Sequence, residues 1–117
     1  MQDNRFPIPS QLGNVSIAAE AIAQLVGRTA TRCYGVVGLA PQTKVSRLLG
    51  REIAGAVSVA PLAGGLKIGL HVVVEHGLNL AEVAATIRSQ VGYEVARLTG
   101  LTVSSVEVHI QAVRRSA

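Results

Sequence analysis

"TGLTVSSVEVHIQAV", residues 99–113, decides the fold. From Val103 the side chains alternate, and strict alternation over this length is the mark of a strand with one face in a core and one in water. Val106, Val108 and Ile110 take the buried side. Glu107, His109 and Gln111 take the other. Gly100, just upstream, is placed to end a helix, because glycine enters the left-handed conformation of a C-cap without steric cost.

That helix is read backward from Gly100. Asn79 followed by Glu82 is a capping-box pattern, and Leu80, Val83, Ile87, Val91, Val95 and Leu98 fall on one helical stripe. Further upstream, "AVSVAP" (56–61) and "LKIGLHVVVE" (66–75) read as two strands joined through "LAGG", whose paired glycines permit a tight hairpin. In the second of these strands Leu66, Ile68, Leu70, Val72 and Val74 share a face. Lys67, His71, Val73 and Glu75 are left on the opposite one.

"TKVSRLLGR" (43–51) is expected to form one or two helical turns, with Lys44, Arg47 and Arg51 along one side as the densest basic cluster in the chain. "GVVGLA" (35–40) is a short strand stopped by Pro41. In "AAEAIAQLVGRTATRC" (18–33) Ile22, Leu25, Val26, Ala30 and Cys33 sit at helical spacing, with Glu20 in the expected first turn and Ala18, a poor cap, at the expected N-cap. "NVSI" (14–17) before it reads as a strand. Residues 1–12, with two prolines and no periodicity, read as a flexible arm, residues 13–113 as the domain, and residues 114–117 as a basic tail.

These elements predict an α+β two-layer sandwich. Two amphipathic helices pack on one face of a mixed, mostly antiparallel sheet of about five strands, and the other face stays wet. A chain of 117 residues is one domain, and with 49% hydrophobic residues but only 3% aromatic ones its core is aliphatic.

Composition also limits function. A net charge of +4 is modest for a dedicated nucleic-acid binder, and the near absence of aromatics removes stacking platforms for single strands, so nucleic acid is disfavoured as a partner. One cysteine cannot form an internal disulfide, and no secretory pattern opens the chain; both point to the cytoplasm. The long uncharged run "IAGAVSVAPLAGGL" (53–66) is too short to span a bilayer and is broken by Pro61 and three glycines.

Candidate chemistry is sparse. His71 and His109, with Glu75 or Glu107, approximate a zinc ligand set only if their two strands are neighbours; otherwise they are solvated side chains on an open sheet. His76 precedes a glycine and reads as a turn residue. Cys33 falls on the buried stripe, which suits packing and not nucleophilic attack. "GVVG" (35–38) has the form of the GxxG loop of KH domains, so a small KH-like nucleic-acid-binding domain is the alternative function, but such a loop joins two helices and this one enters a strand. The surface expected to carry interactions comprises Lys44, Arg47, Arg51, Lys67, His71, Glu75, Glu107, His109 and Gln111.

"GNVSIAAEAIAQLVGRTATRCYGVVGL", followed by "VVVEHGLNLAEVAATIRSQVGYEVARLTGLTVSSVEVHIQAV", resembles the alkaline shock protein family of small bacterial proteins linked to cell-envelope stress. The shared features are the "GVxGL" strand at 35–39, the "VEYGxNI"-like turn at 74–80 and the closing "TGLxVxxVxVxVxxV" pattern at 98–113, which is the most specific. The chain departs from the family at Ala18, where a Ser or Asp cap is usual, and in lacking long charged tails. The resemblance implies a non-enzymatic cytoplasmic protein without cofactors, prone to self-association and often held at the inner face of the membrane by a separate anchoring protein.

Overall fold

The structure is a computed structural model that describes residues 15–40 and 55–115. In chain order it contains α1 (Val15–Thr31), β1 (Val36–Leu39), β2 (Val57–Leu62), β3 (Gly65–Glu75), α2 (Leu80–Thr99) and β4 (Val103–Arg114). The basic segment carrying Lys44, Arg47 and Arg51 lies outside the described residues.

β3 is the axis of the sheet. On one edge it pairs antiparallel with β2 through Val57↔Leu70 to Leu62↔Gly65, and farther along with β1 through Val36↔Val74 to Leu39↔Val72. β4 runs parallel to β3, from Leu66↔Val103 to Glu75↔Arg114. A parallel neighbour needs a crossover, and α2 supplies it. The sheet is therefore mixed, with β4 at one margin and β2 and β1 sharing the other.

Both helices lie over the side of β3 that carries Leu66, Ile68, Leu70, Val72 and Val74, all fully excluded from solvent. Ile22, Val26 and Ala30 of α1 meet Val83, Ile87, Val91 and Val95 of α2 above them. Each fully buried Leu or Ile here contributes about 1.5–3 kcal/mol through lost apolar hydration. The expected stripe on α2 is shorter than its pattern, since Leu80 and Leu98 at its two ends are exposed. Cys33 lies just beyond α1, half-buried against the core; its Sγ donates to Thr29 O at 3.4 Å, and burial raises the pKa of the thiol.

Four strands are present among the described residues, and the expected strand at 14–17 is not one of them. Residues 15–17 already belong to α1, so Ala18 is inside the helix and not its N-cap, and the first turn holds no acidic residue. The alternation of Val15, Ser16 and Ile17 is too short to tell a strand from a helical turn, and the Ala-rich run that follows propagates the helix backward through it. α2 has the ends its sequence announces: Asn79 Oδ1 accepts from Glu82 N at 3.1 Å, and Gly100, at φ 74°, donates its N–H to Ala96 O.

The β2–β3 hairpin turns on Ala63 and Gly64, both at positive φ, as a two-residue loop matched to strand twist requires. Gly65 is already in β3. It has another role: a Cβ there would meet Thr102 O at 2.7 Å as well as the Ser104 hydroxyl. With hydrogen in that place, Ser104 Oγ donates to Leu62 O at 2.9 Å and ties the start of β4 to the hairpin.

Candidate interaction surface

Alternation along β3 sends Lys67, His71, Val73 and Glu75 to the side away from the helices. The parallel register of β4 aligns its own outward residues with them, because Cα partners in a ladder point to the same face. His71 and His109 are such partners, and Gly69 is paired with Glu107. The chain thus brings together two histidines separated by a whole crossover unit.

Their rings stack, with centroids 4.7 Å apart and planes inclined by 17°. Gln111 Nε2 lies 3.0 Å from His71 Nδ1; when the amide donates, His71 is the tautomer protonated on Nε2. Gln111 can reach back because the β3–β4 register slips between Val72 and Val73, leaving it as the extra residue of a bulge. Glu107 lies between two basic side chains: its Oε2 is 3.5 Å from Lys67 Nζ and its Oε1 is 3.6 Å from His109 Nε2. Burial, and then the charge of His109, lower the pKa of His71, since a second imidazolium stacked on the first is disfavoured.

Of the residues expected to form the surface, Lys67, His71, Glu107, His109 and Gln111 form one connected row. Glu75 is on the same side at its far end, opposite Arg114 in register. The histidines do meet, as a zinc reading needed. Among the described residues, however, no three His, Cys, Asp or Glu side chains are arranged to hold a metal ion. In this pair the rings stack, so their nitrogen lone pairs lie in nearly parallel planes 4.7 Å apart at the centroids, which is a poor arrangement for sharing one tetrahedral centre. Val73 differs from its neighbours: it points to the open side yet is buried, outside the main core cluster.

The residues of "GVVG" do not make a loop between helices. Gly35 closes the turn after α1, and Val36 to Gly38 form part of β1 against β3. The sequence does not announce a groove of about 370 Å³ between the helices, walled in part by Arg32, Cys33, Tyr34, Gln90, Glu94 and Arg97. Arg97 is held to Glu94 at 2.8 Å, and this contact raises the guanidinium pKa. Tyr34, 77% exposed and on the groove wall, is the available signal: an aromatic on a chain with almost none, lying outside every apolar stripe.

Among the described residues no helix is long and apolar enough to cross a membrane. Solved structures similar to this one include a single-residue variant of the MamM CTD, at TM-score 0.59 and 14% identity over 82% of this chain and 96% of that one. The copper form of the MamM CTD matches at TM-score 0.56 and 14% identity, over 80% and 84%. At such identity the likeness concerns the fold. In sequence, the chain is 31% identical to the Bacillus subtilis protein YloU over 110 residues, covering 90% of this chain and 92% of YloU. It is 28% identical to Spy1614 of Streptococcus pyogenes over 107 residues, covering 87% and 88%. The pattern of the ASP23 family, described as having a cell envelope-related function, matches residues 7–115, and the chain belongs to that family.

Proposed function

We propose that this domain is a non-catalytic interaction module of the cell envelope, which associates with itself through its sheet and binds an envelope-associated protein through the side of that sheet its helices leave uncovered. The observation that carries this reading is the linked row Lys67, Glu107, His109, His71 and Gln111 on that side. A folded domain gains little stability from exposed ion pairs of this kind, so a connected polar row serves recognition better than folding. Mixed charges suit a protein surface more than a phosphate backbone, which would call for cations alone. Membership of an envelope-related family supplies the setting. The protein acts on the cytoplasmic side, recruited there by its partner.

The test is genetic. Lys67→Glu combined with His71→Glu is introduced in the native host beside a clean deletion, with protein level and melting temperature checked. The double variant is expected to reproduce the envelope-stress sensitivity of the deletion. A sensitive deletion with a wild-type double variant would refute the reading.

A further inference from the structure

We infer that two copies of this chain join through the outer edges of β4, antiparallel, about a twofold axis beside Val108; this rests on the self-association just proposed and names the surface that performs it.

The two margins of the sheet are built differently. The margin shared by β2 and β1 is divided into strands of six and four residues, carries Pro61, and has a register shift between Val36 and Gly38. Short strands, proline and irregular register are the devices that stop an edge from pairing with another chain. β4 is a single strand of twelve residues containing neither proline nor glycine. Its register against β3 is unbroken from Ser105 to Ile110. Among the described residues no strand pairs with its outer side, so about half of its backbone N–H and C=O groups are directed away from β3.

The core side of β4 is unfinished as well. Val106, Val108 and Ile110 pack against the core but remain half-buried, whereas Ile68, Leu70 and Val72, their partners on β3, are fully buried. Among the described residues, what they lack is a neighbour on the outer flank.

Charge selects both the occupant and the register. In antiparallel pairing that keeps the two open faces on one side, centring on Val108 sets Glu107 of each copy opposite His109 of the other. Ser105 then faces Gln111, while on the core side Val108 meets Val108 and Val106 meets Ile110. Sliding to centre on Glu107 opposes two carboxylates; sliding to centre on His109 opposes two imidazoles. Two carboxylates directly across a ladder repel and two facing imidazoles gain little, whereas an imidazole N–H can donate to a facing carboxylate, so of these three registers the Val108-centred one is self-complementary. A single strand edge is a small interface, so the dimer is expected to be concentration-dependent.

Sedimentation velocity over a wide concentration range tests this, with melting curves confirming that every variant folds. The wild type is expected to dimerise. His109→Glu, which places carboxylates opposite one another twice, weakens association about tenfold or more. The exchange Glu107→His with His109→Glu restores it, because each His again faces a Glu. Amide exchange of the wild type provides a reading free of substitutions: protection over residues 105–111 rises with concentration. A wild type that stays monomeric, a His109→Glu variant that assembles as well as wild type, a folded exchange variant that fails to recover, or amides indifferent to concentration would each overturn the proposal. Assembly that persists in His109→Glu would reject this edge alone and leave the wider interaction reading intact.

Discussion

The two faces of β3 come from one strand of eleven residues, yet they behave as different materials. Leu66, Ile68, Leu70, Val72 and Val74 are sealed beneath the helices, where every atom has a packed neighbour and any lost volume is felt. Lys67 and His71, one pleat away, meet the side chains of β4 through polar contacts at the surface, Lys67 to Glu107 at 3.5 Å and His71 to Gln111 at 3.0 Å. The first face holds the fold together. The second is shaped by it, because its residues were brought together by the parallel register and not by their own attraction.

Substitutions can break this contrast or sharpen it. Ile87 is fully excluded from solvent at the centre of the α2 stripe, so Ile87→Ala leaves a cavity and should cost about 3 kcal/mol in denaturant unfolding. A loss under about 1 kcal/mol would mean that the core is looser than its packing indicates.

Glycines probe the open side, where tolerance is the rule and Gly65 is the exception. Gly65→Ala drives a methyl onto the Thr102 carbonyl, which is backbone and cannot rotate away; a loss of about 2 kcal/mol is expected. At Gly69 the added carbon meets only the Ser58 hydroxyl, at 2.9 Å, and that group can turn aside. Gly69→Ala should therefore change stability by no more than about 0.5 kcal/mol. Equal effects at the two glycines would contradict the close approach of β4 to the hairpin.

His71 provides a subtler measure. Its pKa in the folded protein is lowered, chiefly by burial and then by His109, so below its ordinary value of 6.5 the unfolded chain binds more protons than the folded one. Stability contributed by the neutral ring is present above that value and is lost as pH falls toward the lower folded value. His71→Gln should remove this part of the acid-side loss; urea midpoints taken from about pH 7.5 to about pH 5, parallel in wild type and variant, would argue against it. Smallest of all, Lys67→Ala removes an ion pair whose partners are 46% and 49% exposed and should shift stability by less than about 0.5 kcal/mol.

Much of the fold was legible because local chemistry and tertiary packing agree. Asn79, Gly100 and the stripe from Val83 to Val95 announce α2, and alternation announces β3 and β4. The start of α1 departs from the expected strand where the signal is shortest: three alternating residues carry no period, and the Ala-rich run after them decides their conformation. Likewise Leu80 and Leu98 follow the pattern of α2 but project beyond the reach of the sheet, since a stripe in sequence does not say how far its partner extends. The candidate surface was legible as a set of outward residues, but their mutual contacts were not.

Sequence by itself determined which side chains face inward and which outward, because the periods of helix and strand are properties of the backbone. Strand order and register were decided only by the tertiary structure. Alternation is the same whether β4 lies beside β3 or across the sheet from it, and the pairing that stacks His71 on His109 depends on where α2 returns the chain. That no described strand pairs with the outer side of β4 is likewise a consequence of strand order, and no residue type in its sequence could have announced it.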